Sequence, residues 1–350
     1  RFQMCAAVPE SPFWCHPAPR RADEDEMLDE EYWLLLVDNE LHIGSDMFVE
    51  KRCESFTLPP EEIARLRREV ESDGYIRLDP EVLPWAVDMG IMAKAVLKLL
   101  EAGWDPLWLL VFDETWVLQQ QISKILELVF GNANIFDFYA WYVDPRDTQA
   151  GWSPHRDRGE SDPLTSFRAD GTPKMNTIWI PLTDATPDNS CLYVLPATWD
   201  PRYRDVVEGP AASVSIFGTS ESFQHIRCVP AKAGSAVCFT HRLLHWGSRG
   251  KTTAANPRIA LSYAASTDDF EEPYFPRSFL PSPPLDMRVA LAAGQMICYY
   301  PQVPVAADVL ASLYTVFMYQ HCNFTGKYVS KVREAHAHAR HQHATAAARS

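Results

Sequence analysis

Residues 135–143 read IFDFYAWYV, and they mark the point at which the periodicity of the sequence changes. Before them, apolar residues recur three or four positions apart, a spacing typical of helices that bury one face. From residue 135 onward, short runs rich in Val, Ile, Phe, Tyr and Trp are punctuated by Pro, Gly, Asn and Asp. This pattern is typical of β-strands, so the sequence predicts a strand-rich centre.

Further runs of the same kind follow, with no regular helical pattern between them. They are TIWIPLTDA (177–185), SCLYVLP (190–196), HIRCVPA (225–231), SAVCFTHRLLHW (235–246) and RIALSYAAS (258–266). Several short strands in succession indicate a sandwich, a jelly roll or a barrel.

Helical patterns flank this centre on both sides. Residues 57–78, TLPPEEIARLRREVESDGYIRL, predict a helix that starts at two prolines, stops at Asp73-Gly74 and leads into a short strand. Segments 88–102 and 113–130 have the spacing of packing helices, and helical patterns return from about residue 286. The sequence closes with AHAHARHQHATAAARS (335–350), whose histidines could bind metal, although a frayed, solvated segment is the expectation for such a terminus.

The expected organisation is therefore a mainly β core with helical additions, in four parts. These are an acidic N-terminal extension (1–55), a jelly-roll domain with N-terminal helices (56–270), a C-terminal helical extension packed on the core (271–335) and a low-complexity His/Ala tail (336–350). The carboxylate run ADEDEMLDEEY (22–32) is interpreted as a solvated face. The N-terminal arm and the C-terminal helices are candidate surfaces for a protein partner.

Composition excludes several classes of function. A net charge of −14 and a pI near 5.2 argue against a nucleic-acid partner, which needs clustered Lys and Arg. The longest apolar runs, 104–112 and 305–319, fall short of the ~20 residues that cross a bilayer. A small-molecule substrate is the remaining expectation.

Cysteine usage bears on the compartment. The eight cysteines lie far apart and form no C-x-x-C pair, which favours free thiols in a reducing intracellular compartment. The Ala/Pro/Arg-rich start at Arg1 is compatible with a trimmed organelle transit peptide, so cytoplasm and organelle matrix or stroma are both open. A chain start that has nothing to do with a transit peptide would explain Arg1 as the first residue equally well.

Candidate metal ligands lie in GWSPHRDRG (151–159). His155 and Asp157 are two residues apart and point to one face if the chain is extended. A third ligand is available in GSAVCFTHRLLHWGSRG (234–250), where His241 and His245 lie four residues apart. Two histidines and one carboxylate on one face of an octahedron are the ligand set of non-haem Fe(II) oxygenases.

Such a site leaves three coordination positions open, two for a 2-oxo acid and one for O2. The distal carboxylate of the 2-oxo acid needs a permanently charged bidentate partner, a role for which arginine is better suited than lysine. Arg258 opens the run RIALSY, and Ala260 and Ser262 share its strand face.

In the order H-x-D, then H, then R, the chain resembles the phytanoyl-CoA dioxygenase-like branch of the Fe(II)/2-oxoglutarate-dependent oxygenases. WIPLTDATPDNSCLYVLPATW (179–199) is similar to a strand-and-turn segment of that branch, and LPPEEIARLRREVESDGYIRL (58–78) to its opening helix. The resemblance covers about residues 57–270. It implies a double-stranded β-helix that binds Fe(II), 2-oxoglutarate and O2.

The resemblance also implies roles for individual residues. The metal histidine of the family lies eleven residues after a strand-opening glycine, and eleven residues after Gly234 is His245. His241 is then a neighbour, either supporting the site or simply a satisfied strand histidine. The cosubstrate pocket implied is Arg258 with Trp179, Ser248, Trp152 and Ser262, although both tryptophans could equally be core aromatics.

The sequence departs from the family pattern in three places. Ser248 and Arg258 follow His245 by three and thirteen residues instead of two and about eleven, which indicates a small insertion in the turn. LPATWD (195–200) replaces the usual turn and lacks its histidine, and a long polar insert follows the first two ligands. The substrate therefore need not be an acyl-CoA; residues 158–175 and 200–228 and the C-terminal helices are expected to shape its pocket.

The expected reaction is hydroxylation or desaturation of a small organic substrate, with release of succinate and CO2. Asp157 disfavours halogenation, because halogenating relatives lack this carboxylate. Two alternatives remain open: a catalytically quiet jelly-roll subunit of a larger assembly, and a cupin-type metal enzyme that uses no 2-oxo acid. Arg258 argues against the second.

Overall fold

The computed structural model describes residues 21–45, 58–204, 217 and 221–347, apart from residues 22, 84, 148, 150, 159–161, 163 and 281. The predicted transit-peptide remnant and most of the 200–228 loop lie outside these residues. The predicted domain boundaries remain predictions.

Antiparallel strands form the centre of the fold, as the change of periodicity predicts. A five-stranded sheet has the order β1-β6-β3-β8-β2, and a three-stranded sheet has the order β5-β4-β7. The strands are β1 Tyr75–Leu78, β2 Ala133–Val143, β3 Met175–Pro181, β4 Leu192–Leu195, β5 Arg227–Val229, β6 Ala236–Thr240, β7 Leu244–Gly247 and β8 Arg258–Ser266. Residues of both sheets line one cavity, and this arrangement confirms the double-stranded β-helix.

The run SAVCFTHRLLHW is not one strand, so that prediction is wrong. β6 ends at Thr240 in the larger sheet, and β7 begins at Leu244 in the smaller one. Between them the Leu243 N–H donates to the Thr240 carbonyl at 2.9 Å and closes a turn that carries the chain from one sheet to the other. His241 and His245 therefore lie on different elements.

The helices on the N-terminal side match their predictions. They are α3 Pro60–Asp73, α4 Met89–Glu101 and α5 Asp113–Phe130. Gly74 ends α3 with φ +80°, a left-handed conformation that glycine adopts without steric cost, and the chain turns directly into β1. The Asp88 carboxylate caps α4 by accepting the N–H groups of Gly90 and Ile91.

The acidic segment has a structural role beyond solvation. Asp23 and Asp29 cap two short helices, α1 Glu24–Met27 and α2 Glu30–Leu36. Trp33 of α2 is fully buried, with its ring centroid 4.9 Å from that of Trp104 and 5.4 Å from that of Trp108. This part of the predicted extension is packed on the core.

Three helices follow the strands, as predicted: α6 Leu285–Cys298, α7 Ala307–Tyr319 and α8 Gly326–Ala347. The expectation of a frayed tail is wrong for residues 336–347, which continue α8. The His336 ring stacks on Tyr314 at 3.8 Å between centroids, and His343 Nε2 lies 3.1 Å from the Tyr300 hydroxyl. Alanine is the strongest helix former, and Ala339 is fully buried, so packing holds the segment.

Two further expectations concern the membrane and the thiols. None of the helices among the described residues is both long and apolar enough to cross a bilayer. The described cysteines are free thiols, including Cys191 and Cys228 with 3.4 Å between their sulfur atoms. The compartment stays a prediction.

Candidate metal centre and cosubstrate pocket

Two predicted ligands face each other across a backbone pair. The N–H of His155 donates to the carbonyl of His245 at 3.0 Å, and the N–H of His245 donates to the carbonyl of His155 at 3.0 Å. Residues paired in this way project their side chains to the same face. The two ring centroids are 4.3 Å apart.

Asp157 reaches the same point by a route that the sequence does not predict. His155 forms only an isolated bridge, and residues 157–158 form a turn, so the strand expected through GWSPHRDRG is absent. The turn nevertheless brings Asp157 Oδ1 to 3.4 Å from His155 Nε2 and 3.5 Å from His245 Nε2.

The hydrogen bonds of the two imidazoles define which nitrogen faces the centre. His155 Nδ1 lies 2.8 Å from the Ser153 carbonyl, and His245 Nδ1 lies 3.1 Å from the Leu243 carbonyl. Because a carbonyl only accepts, each Nδ1 carries the proton, and in the neutral ring each Nε2 presents a lone pair. Two lone pairs and a carboxylate oxygen thus converge, an arrangement that a cation stabilises.

Burial keeps these groups in the state that binds metal. Desolvation and the nearby His155 lower the pKa of His245 to about 4, so its ring is neutral at pH 7. Burial raises the pKa of Asp157, but the neighbouring His245 and His155 rings and the hydrogen bond from the Thr177 hydroxyl outweigh burial and leave this pKa lowered, so the carboxylate is ionised at pH 7. Neutral imidazole and ionised carboxylate are the ligand forms that a metal requires.

Among the described residues, His155, Asp157 and His245 are the set of His, Cys, Asp and Glu side chains close enough to hold a metal ion, with ligand atoms within 4.8 Å of one another. Nitrogen and carboxylate donors in this number fit Fe(II). The histidines of α8 form no such set.

Thr177 on β3 supports the centre and was missed by the sequence reasoning. Its hydroxyl donates to Asp157 Oδ2, the carboxylate oxygen that does not face the histidines. Hydrogen bonds of this kind orient a ligand and tune its affinity for metal. A threonine inside an apolar strand gives no signal of this role in the sequence.

Arg258, the first residue of β8, lies in the same cavity and is 4% exposed. Within the described part of the chain it forms no ion pair, its Nε has no hydrogen-bond partner, and its guanidinium lies 5.7 Å from the centroid of the Trp179 ring. Burial lowers its pKa to about 10, so it remains a cation at pH 7. A buried cation without a carboxylate is costly unless an anion joins it.

The other predicted pocket residues divide into two groups. Trp179, Ser262 and Trp152 line the cavity with Arg258; Trp179 pairs with Ser262 across β3 and β8. Trp152 stacks near His155, with 5.0 Å between ring centroids.

Ser248 and His241 are not among the residues that line the cavity. The backbone of Ser248 bonds to neighbouring loops, and its buried hydroxyl has no partner among the described residues, so its role in cosubstrate binding stays a prediction. His241 is fully buried, and its Nδ1 bonds to the Met175 carbonyl at 2.8 Å. Its Nε2 is buried and has no hydrogen-bond partner in the described part of the chain, so both interpretations of His241 stay predictions.

The far wall of the cavity comes from residues that the sequence analysis did not name individually, although most of them lie in segments that it expected to shape the pocket. It contains Asp137 of β2, Arg158 of the polar insert, and side chains of the C-terminal helices and the residues that follow α6, among them Gln295, Tyr299 and Lys331. The C-terminal helices therefore shape the pocket, as expected. The cavity volume is about 410 Å³.

Comparison with known proteins gives a family. The phytanoyl-CoA dioxygenase (PhyH) family model matches residues 53–260, which include the three metal-ligand candidates and Arg258. No curated protein matches the chain.

Solved structures with a similar fold are distant in sequence. The non-heme alpha-ketoglutarate-dependent epimerase SnoN from nogalamycin biosynthesis is 17% identical, with coverage of 59% of this chain and 84% of that chain and a TM-score of 0.43. The carbocyclase SnoK from the same biosynthesis is 18% identical, with coverage of 60% and 84% and a TM-score of 0.44. EctD from S. alaskensis, solved with 2-oxoglutarate and 5-hydroxyectoine, is 15% identical, with coverage of 73% and 88% and a TM-score of 0.40.

The family match spans more than half of the chain and agrees with the donor set and the buried arginine. The chain belongs to the phytanoyl-CoA dioxygenase (PhyH) family, and it is an oxygenase that uses Fe(II), 2-oxoglutarate and O2.

Proposed function

We propose that His155, Asp157 and His245 bind one Fe(II), that Arg258 binds the distal carboxylate of 2-oxoglutarate, and that the enzyme hydroxylates or desaturates a small organic substrate. The observation that carries this proposal is Arg258, a buried cation without a carboxylate partner among the described residues, in the cavity that also holds the three ligand atoms. A dicarboxylate of suitable length would pair with the Arg258 guanidinium at one end and bind the metal at the other.

When bound, Fe(II) and 2-oxoglutarate supply the oxidising chemistry. In hydroxylation, one atom of O2 enters succinate and the other enters the substrate, so RH, O2 and 2-oxoglutarate give ROH, succinate and CO2. In desaturation the second oxygen atom leaves as water with two hydrogen atoms of the substrate.

The side chains of the protein contribute position and electrostatics. The Nδ1 hydrogen bonds to Ser153 and Leu243 fix the ring orientations of the two histidines, and Thr177 holds one oxygen of Asp157. Trp152 and Trp179 form apolar walls on two sides of the cavity, which exclude water and strengthen the attraction between Arg258 and a carboxylate.

Asp157 also bears on the reaction type. A carboxylate in this position would bind the metal where a halide would otherwise bind, so the proposal is hydroxylation or desaturation and not halogenation.

The proposal is tested by succinate formation from 2-oxoglutarate in air-saturated buffer with added Fe(II). We expect a measurable basal rate of succinate formation in the wild type and none in Asp157→Ala. Asp170→Ala, which removes an exposed aspartate of the polar insert, is the matched control and retains the rate. A wild type that holds one iron per chain yet forms no succinate would support the catalytically quiet subunit instead.

A further inference from the structure

The far wall of the cavity carries a polar cluster that neither the metal nor the cosubstrate explains. We define this far-wall cluster as Asp137, Arg158, Gln295, Tyr299 and Lys331, all of which line the cavity. Asp137 accepts hydrogen bonds from Gln295 Nε2 at 3.1 Å and from the Tyr299 hydroxyl at 3.3 Å. Since Arg258 already matches the distal carboxylate, this cluster is available for another ligand.

A backbone irregularity places Asp137 in the cavity. The register of β2 against β8 shifts between Asn134 and Phe138, and Phe136 has φ +68°, a left-handed conformation that is unfavourable for a bulky side chain. Backbone strain of this kind is unfavourable and concentrates at functional sites. A purely structural strand would avoid this cost by carrying an apolar residue in regular register.

The charges of the cavity wall are balanced. Arg158 forms an ion pair with Glu271 at 2.9 Å and contacts Asp137 at 3.3 Å, while Lys331 lies 3.6 Å from Glu271. Arg156, which also lines the cavity, pairs with the buried Asp200.

Of the charged side chains that line the cavity in the described chain, Asp157 and Arg258 are then left without an ion pair to an opposite charge, apart from the histidines. Their charges of −1 and +1, with +2 from Fe(II) and −2 from 2-oxoglutarate, sum to zero. No charge remains to compensate an ionised substrate, and an uncompensated charge in a buried site is costly.

Gln295 specifies what a ligand at this wall must offer. It is 1% exposed, and its Nε2 donates to Asp137 and to the Phe138 carbonyl at 3.2 Å, which fixes the orientation of the amide. Among the residues that the structure describes, its buried Oε1 has no hydrogen-bond partner. An unpaired buried acceptor is unfavourable until an O–H or N–H group donates to it, and a carboxylate or phosphate has no proton to give.

Aromatic rings connect this wall to the metal centre. Ring centroids are 5.3 Å apart between Trp152 and Trp141, 4.4 Å between Trp141 and Tyr139, and 4.5 Å between Tyr139 and Tyr299. Trp152 lies beside His155, and the Tyr299 hydroxyl bonds to Asp137. Of these rings, Trp152, Trp141 and Tyr299 line the cavity, while Tyr139 packs behind them. A substrate can therefore lay an apolar face along the three lining rings while its polar groups meet the far-wall cluster.

We propose that the far-wall cluster binds the substrate and that this substrate is an uncharged, hydroxyl-bearing organic molecule rather than an acyl-CoA or a carboxylic acid. The inference rests on the proposed function. It names Gln295 as a specificity-determining residue, whose Oε1 accepts a hydrogen bond from a substrate hydroxyl.

The test is substrate-stimulated succinate formation by the full chain loaded with Fe(II) and 2-oxoglutarate. Three compound pools are compared: uncharged glycosides, polyols and cyclic alcohols; CoA thioesters; and carboxylic acids. We expect the uncharged pool to raise the rate at least tenfold above the basal rate. A response confined to either charged pool, or no response from the uncharged pool, overturns the inference. Loss of the basal rate itself would instead indicate that the proposed function is wrong.

A variant pair then tests the assignment of Gln295. Gln295→Leu is expected to raise the KM of the stimulating compound at least tenfold while the KM of the cosubstrate changes less than twofold. Gln342→Leu makes the same chemical change on the exposed face of α8 and is expected to leave both KM values at the wild-type level. A Gln295→Leu enzyme with an unchanged KM for that compound, or with both KM values raised in parallel, overturns the assignment.

Discussion

Replacement of Arg258 by methionine has two expected effects of opposite sign. The guanidinium is buried without a counterion among the described residues, so the protein without cosubstrate bears the cost of its charge. Burial lowers the pKa of Arg258 from 12.5 to about 10. At pH 7, below both values, this cost is fully present and corresponds to roughly 3 kcal/mol.

The metal-free Arg258→Met protein is therefore expected to be more stable than the wild type, by up to roughly 3 kcal/mol or a few degrees in Tm. In the metal-loaded enzyme the variant loses two charge-assisted hydrogen bonds to 2-oxoglutarate. At about 1.5–3 kcal/mol for each bond, or about 3–6 kcal/mol together, the Kd of the cosubstrate is expected to rise by about 10²–10⁴.

The assay is thermal unfolding with and without 2-oxoglutarate, in anaerobic buffer containing Fe(II), together with unfolding of the metal-free protein. Arg288→Met is the matched control, because Arg288 is equally buried but bonds Asp113 at 2.6 Å. Its replacement leaves a buried carboxylate unpaired and is expected to destabilise by about 3–5 kcal/mol. The reasoning is refuted if Arg258→Met destabilises the metal-free protein as Arg288→Met does, or if 2-oxoglutarate stabilises Arg258→Met as strongly as the wild type.

Three further outcomes are expected. Thr177→Val removes the hydroxyl that bonds Asp157 and should weaken Co(II) binding about 10–100-fold in a calorimetric titration. Burial lowers the pKa of His241 to about 4, so as the pH falls from 6.5 to 4 the unfolded chain binds a proton at this residue before the folded chain does. The free energy of unfolding of the metal-free wild type should therefore fall by up to roughly 3 kcal/mol relative to that of His241→Asn between these pH values, as measured by urea unfolding. Trp33→Ala should cost about 3–5 kcal/mol in the same assay, because this fully buried ring anchors the acidic segment to the core.

Each of these has a control and a contrary result. Thr177→Ser keeps a hydroxyl and should keep the affinity for Co(II); equal losses in both variants would contradict the role given to that hydroxyl. A wild type and a His241→Asn variant with parallel pH profiles would contradict the lowered pKa. Leu35 is 60% exposed, so Leu35→Ala should change the free energy of unfolding by less than about 0.5 kcal/mol. If Trp33→Ala changed it as little, the acidic segment would not be anchored to the core.

The strand-rich core and the helices around it could be predicted because periodicity is a local property of the sequence. The candidate metal ligands could also be named from the sequence, since two of them lie two residues apart and the third follows a recognisable strand opening. Arg258 could be placed by its parity with Ser262 on one strand face.

The crossing between the two sheets could not be predicted. The turn His241–Leu243 contains no Gly, Pro, Asn or Asp, so two strands read as one apolar run. The prediction for the tail was wrong in another way. Its alanines favour a helix, but its low complexity suggested a frayed segment. The contacts of His336 and the burial of Ala339, which hold the helix in place, involve residues distant in sequence.

The far-wall cluster could not be predicted from the sequence, for a different reason. Asp137 lies inside an apolar strand, and its position depends on the left-handed backbone of Phe136, which no residue type in the run signals. Gln295 and Lys331 come from helices more than 150 residues away along the chain. Only tertiary packing brings these residues to one wall.

The central claim is that His155, Asp157 and His245 hold one Fe(II) to which 2-oxoglutarate then binds. Anaerobic titration of the wild type with Fe(II) and 2-oxoglutarate tests it most directly, through the weak visible charge-transfer band of the complex. We expect the band to saturate at one iron per chain, to be absent in His245→Ala and to persist in His241→Ala. A band that survives in His245→Ala, or one that disappears only in His241→Ala, would contradict the ligand assignment.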